Sequence, residues 1–199
     1  MSSWLPFTLF AFVASITPGS TNLLILAQGT RHGWKSALAA VFGASSAAAA
    51  IVLAVGWGLT NTLLADPIIR RLMAATGVVW LSWLVWRLYH SPPPPMEGST
   101  ERSANFSARQ SAGLQLVNPK TWMMALSVVG VFTGAESSAT EIAVLALTFG
   151  VVAIPCLTLW GLMGSGVAQW FRTPRQWQWF NRTLALLLLL VAWWSVLAP

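Results

Sequence analysis

Charge is scarce in this 199-residue chain: 8% of its residues are charged, and only five are acidic. Soluble globular domains carry about 25% charged residues, so a solvated globular surface is excluded. Cysteine is nearly absent as well. A lone Cys156 rules out an intramolecular disulfide, a paired-thiol redox carrier and a Cys-based zinc site. It is expected to pack as a small apolar residue beside Pro155. No Asp, Glu or His falls securely inside an apolar segment, and no nucleophile–base set is present, so the chain is not read as an enzyme and no cofactor is expected. A first-span start without a basic n-region, with Ala11-Phe12-Val13-Ala14 a poor cleavage site, points to a retained segment rather than a signal peptide.

What is abundant is apolar length. Hydrophobic residues make up 56% of the chain, and the mean hydropathy is +0.66. The reading is an all-α polytopic membrane protein in contact with the lipid bilayer. The net charge of +6 does not indicate nucleic acid, because the basic residues gather beside apolar spans, as the positive-inside bias requires. Six spans are predicted: roughly 4–28, Lys35–Leu64, Ile68–Tyr89, an approach from Phe106 running on to Thr133, Ile142–Gln169 with Pro155 kinking it, and Trp177–Ala198. The second is rich in small residues from Gly43 to Ala50, a packing face that also offers a surface for a homodimer. Trp86-Arg87-Leu88-Tyr89 reads as an interfacial anchor.

Pro92–Pro95 and the charges after them make an extended linker. Residues 1–90 therefore form a first three-helix repeat, 91–112 the Pro-rich cytoplasmic linker and amphipathic approach, and 113–199 a second repeat. Three spans per half is an odd number, so the halves enter the membrane from opposite sides. Such inverted repeats are common among secondary transporters. Loops 1–2, 3–4 and 5–6 carry Arg31, Lys35, Arg87, Arg102, Arg109, Arg172, Arg175 and Arg182. The other two loops carry Arg70 and Arg71 against Asp66, Glu136 and Glu141. The bias places both termini outside and the linker in the cytoplasm, with Arg70-Arg71 the one discordant pair.

Two polar interruptions stand at matching places in the halves. Thr17-Pro18-Gly19-Ser20 breaks span one, and Asn118-Pro119-Lys120 breaks span four. A break facing lipid would leave backbone groups unpaired, so each needs protein or a polar cavity around it. Thr17 and Asn118 read as N-caps, with Pro18 and Pro119 at the first helical position. The restarted half-helices present free amides to an anion, and the interrupted ones present carbonyls to an ammonium. Lys120 adds a full charge there. Thr17, Pro18, Gly19, Asn22, Asn118, Pro119 and Lys120 are the predicted substrate-binding residues, suited to a zwitterion such as an α-amino acid. With no carboxylate to receive a second cation, a neutral amino acid is favoured over lysine or arginine. The blander alternatives are a structural kink at Pro18 and a Lys120 that reaches to headgroups at the membrane surface.

Thr17-Pro18-Gly19, Gly33, Gly43, Phe106, Gly113 and Asn118-Pro119-Lys120 together resemble the lysine exporter (LysE/RhtB) family of amino-acid efflux proteins. Length, span number and the mid-chain linker agree along nearly the whole chain. The sequence departs from the family's Thr-Pro-Gly-Pro-Asn in having Ser20 and Thr21, with Asn22 one residue late. The glycine usual after the Asn181-Arg182 element is also missing. The resemblance implies export of amino acids or similar metabolites across a bacterial inner membrane, driven by an ion gradient with the proton as coupling ion. The other readings are a metal-ion exporter, for which ligands in the spans are lacking, and a non-transporting membrane scaffold.

Overall fold

The computed structural model describes residues 4–58, 106–133, 137–170 and 173–197, with scattered positions between 68 and 90. Seven helices and no strand occur among them: α1 (Trp4–Ile16), α2 (Ser20–His32), α3 (Trp34–Ala54), α4 (Ala108–Val117), α5 (Pro119–Phe132), α6 (Ala139–Ala168) and α7 (Pro174–Leu197). Most of the third predicted span and the linker lie outside the described residues, although the described positions between 68 and 89 are helical.

Local chemistry sets several of the helix starts. Ser107 with Gln110, and Ser138 with Glu141, form reciprocal capping boxes at α4 and α6. Thr173 and Gln176 exchange the same pair of bonds at α7. Each box satisfies two amides that the first helical turn leaves without partners. Gly33 separates α2 from α3 at φ +78°, a left-handed conformation that glycine adopts readily.

Among the described residues, two helices are long and apolar enough to cross a bilayer. They are α3 continued to Gly58, at 25 residues, and α6, at 30. A 30-residue helix measures about 45 Å, against roughly 30 Å of hydrocarbon. The pair α1 and α2 passes the same test jointly, bent by 59° at its break. The break expected in span one is therefore present, and so is that between α4 and α5.

Lipid supplies little apolar driving force between helices, so close packing depends on small residues. A Cβ on Gly29 would overlap the Gly161 carbonyl, and one on Gly164 would overlap that of Leu26. Those contacts lock α2 against α6. Gly43 lets α3 approach α4, since a side chain there would meet the Ala108 carbonyl. Ala37, Ala40, Val41, Ala44, Ser45 and Ala48 form the buried stripe of α3. This stripe takes up one side of the small-residue run, while Ser46 and Ala50 on the other side are exposed.

The core divides into layers. One apolar cluster joins Phe7 and Ala11 of α1, Ile51 and Val52 of α3, Ala125 and Val128 of α5, and Phe149 of α6. Two others gather around α2, one with Leu24, Leu114 and Leu184, the other with Ile25, Val41 and Leu157. Between these layers lies the polar part of the molecule.

Candidate functional site

At the first interruption the caps differ from expectation. Thr17 does not cap the following helix, and Pro18 is not its first residue. The Thr17 hydroxyl turns back to donate to the Val13 carbonyl, closing α1. Helix α2 instead begins at Ser20, with Gly19 in extended conformation as N-cap and no side-chain capping bond from it. Competition between the two helix ends for one hydroxyl decides this, and α1 takes it.

The last carbonyls of α1 would be orphaned in an apolar setting. Side chains from three helices take them. Asn22 Nδ2 donates to Ser15 O at 2.9 Å, Trp160 Nε1 to Ile16 O at 3.1 Å, and Lys120 Nζ to Thr17 O at 2.7 Å. The carbonyls expected to be open to a ligand are thus already engaged by the protein.

The second interruption is built as its sequence suggests. Asn118 is the N-cap of α5, its Oδ1 accepting from Lys120 N at 3.1 Å, and Pro119 occupies the first turn. Lys120 then extends from that first turn across to the first break. It lies over Gly19, where a Cβ would stand 3.3 Å from both its Cδ and Nζ. The two motifs, 103 residues apart between Lys120 and Thr17, therefore meet through one charge-assisted hydrogen bond.

Beside this junction lies a half-open cavity of about 40 Å³, room for about three waters. Its polar lining includes Ser15, Thr21, Asn22, Ser45, Gln115 and Thr121, with Gly19, Asn118 and Lys120 alongside. Phe149 contributes from the first apolar cluster, and Ala44 and Leu157 from the third. A polar chamber is thereby held between apolar layers. Gln115 ties α2, α4 and α5 together, donating to Thr21 Oγ1 at 2.8 Å and accepting from the Thr121 hydroxyl. The hydroxyls of Ser15 and Ser45 are buried with no protein partner. Lys120 is the one charged side chain among the described lining residues.

Of the predicted residues, Gly19, Asn22, Asn118 and Lys120 line this cavity. Thr17 and Pro18 have exposed side chains, and Thr17 contributes only its backbone carbonyl. Pro119 shapes the helix start without lining the chamber. Ser15, Thr21, Ser45, Gln115 and Thr121 were not among the predicted site residues. One signal was present for Gln115: with Ser111 and Asn118 it marks a polar face at helical spacing. Ser45 is hidden inside a run of small residues. Among the described residues, no group of three or more His, Cys, Asp or Glu side chains could hold a metal ion. Cys156 is buried, with its thiol directed at the Phe12 carbonyl, 3.9 Å away.

Residues 12–197 match the LysE type translocator family. The chain is 27% identical over 191 residues to a cysteine/O-acetylserine efflux protein of Salmonella typhimurium, covering 94% of this chain and 93% of that one. It is 28% identical over 191 residues to the protein of the same description in Escherichia coli (strain K12), with the same coverage. No solved structure matches the chain.

Proposed function

The chain belongs to the LysE type translocator family, and we propose that it exports small neutral amino acids, of the size and charge of cysteine or O-acetylserine, across the bacterial inner membrane. Two of its described helices are long and apolar enough to cross a membrane, and relatives it matches are described as efflux proteins, which supports a transporter. The observation that carries the finer reading is the junction of Lys120 with the Thr17 carbonyl, over Gly19 and beside a polar chamber. A zwitterion has a complementary partner at each of its ends there. Its carboxylate is received by Lys120 and the uncapped first-turn amides of α2, where the helix dipole is positive. Its ammonium takes the Thr17 carbonyl that Lys120 then releases. Thr21, Ser45 and Gln115 offer neutral hydrogen bonds to the remainder.

In this reading the chain crosses the membrane six times as two inverted three-helix repeats, 1–90 and 113–199. The 91–112 segment and the loops rich in arginine are cytoplasmic, and both termini are outside. The chamber lies near the midplane and opens alternately to either face, with the proton as coupling ion. Apolar layers on both sides of the chamber suit an occluded step in that cycle. The test is an efflux screen comparing cells with and without the intact protein, loaded in turn with cysteine, O-acetylserine, other neutral amino acids and lysine. Export of the neutral compounds supports the reading. Saturable export of lysine in preference to them overturns the neutral-substrate assignment, and no substrate-dependent efflux across the panel favours a scaffold.

A further inference from the structure

The two sides of the chamber are closed by different materials. On one side lies the hydrophobic cluster around Phe7, Val52, Val128 and Phe149. On the other, the layer around α2 contains buried polar atoms with no protein partner: Gln28 Nε2, the Ser111 hydroxyl and both amide atoms of Asn181. Gln28 is 6% exposed, Ser111 0% and Asn181 1%. Leaving such a group unpaired costs about 1–3 kcal/mol, so a purely structural layer would not accumulate them.

Their positions form a sequence leading away from the chamber. The hydrogen bonds from Gln115 to Thr21 and from Phe106 N to Gln28 Oε1 show that α4 runs antiparallel to α2. Ser111 lies one turn from Gln115 on the same buried face of α4, and Gln28 two turns from Thr21 on α2. Asn181 stands one turn before Leu184, a member of the cluster that also holds Leu24, Ala27 and Leu114. Phe106 packs against both clusters on this side, and Gln28 holds its backbone amide at 3.2 Å.

We propose that this seam between α2, α4 and α7 is the closed half of the substrate's route, lined by Ser111, Gln28 and Asn181, with Phe106 as its plug. The proposal rests on the exporter reading. When the seam parts, the polar groups meet water and the passing amino acid, which removes the penalty of their burial. The opposite layer, where no such groups are found among the described residues beyond those lining the chamber, stays shut at that stage of the cycle.

The test uses the full chain with Cys156→Ala and a single reporter, Ser111→Cys, labelled with the permanently charged 2-(trimethylammonium)ethyl methanethiosulfonate on membrane vesicles of either orientation. Met123→Cys on the outer surface of α5, where Met123 is 68% exposed, is the reference for a lipid-facing thiol. The expected result is labelling of Ser111→Cys faster than that reference, from the face bearing Gly33 only, and slowed by excess neutral amino acid. Adding Phe106→Ala raises the rate about tenfold or more, since burial of one large apolar side chain no longer favours the closed seam. Asn181→Cys serves as the second reporter should Ser111→Cys fail to insert. Labelling no faster than at position 123, or unaffected by Phe106→Ala, overturns the proposal. Efflux by a protein whose reporters stay unlabelled sinks the route alone. Labelling as expected in a chain that exports nothing in the screen shows a seam that opens without carrying substrate out, which removes the exporter reading and the route with it.

Discussion

Replacing Lys120 by methionine removes one ammonium and keeps an unbranched side chain of comparable reach. In the structure that ammonium stands 2.7 Å from the Thr17 carbonyl, directly over Gly19 and the start of α2. Its loss leaves the Thr17 carbonyl at an exposed position, so folding should suffer little. Binding is different. A charge-assisted hydrogen bond to a substrate carboxylate, away from bulk water, contributes about 1.5–3 kcal/mol, which is roughly ten- to a hundredfold in affinity. Lys120→Met should therefore insert normally and lose efflux by about that factor at limiting substrate. Lys120→Arg should recover only part, because its planar fork places the charge differently in the space that Gly19 leaves. The assay is transport per molecule of membrane-inserted protein, with topology checked in parallel. Normal transport by correctly inserted Lys120→Met would refute the reasoning and leave only the α2 amides to receive the carboxylate. Free exchange by arginine, with methionine harming insertion instead, would identify a lysine that serves the membrane interface.

Four further outcomes follow from the packing and the charge distribution. Gly164→Ala drives a methyl group into the Leu26 carbonyl, so thermal unfolding in detergent should show a loss of about 1–3 kcal/mol. Gly113→Ala, with nothing within 4 Å, should leave stability unchanged or raise it. Trp160→Phe keeps an aromatic ring and removes the donor to Ile16 O, which should lower stability by about 1–3 kcal/mol; an unchanged melting temperature would show that another donor takes that carbonyl. Tags at both ends and within 91–112, probed by protease from the outer face of the inner membrane, should be cut at the ends and protected in the linker; a protected C-terminus with an exposed linker contradicts the orientation.

Several features were legible because they depend on neighbours in sequence. An apolar run interrupted by Thr17-Pro18-Gly19 must break, since proline lacks the donor that a continuous helix needs. Asn118 before Pro119 could be identified as a cap because its oxygen reaches an amide two residues on. Thr17 shows where that approach fails. Its hydroxyl can serve the helix behind or the helix ahead, and composition does not say which end holds it. Ser45 was likewise unreadable as a lining residue, being chemically plausible as packing and chosen only by the face of α3 that meets the chamber.

By itself, then, the sequence determined that this is a membrane-embedded helical chain with two proline-broken segments and a lysine beside one of them. Those properties follow from hydropathy, proline chemistry and capping, all local in range. Only the tertiary structure decided that the breaks meet, because Lys120 and Thr17 are 103 residues apart and no local rule links them. Helix packing also decided who caps α1. The carbonyls of Ser15 and Ile16, residues less exposed than Thr17, had to find donors, and the glycine contacts that lock α2 to α6 bring Trp160 within reach of one of them. Unsatisfied backbone groups are intolerable in an apolar surrounding, so the fold that supplied those donors also assembled the polar chamber next to them.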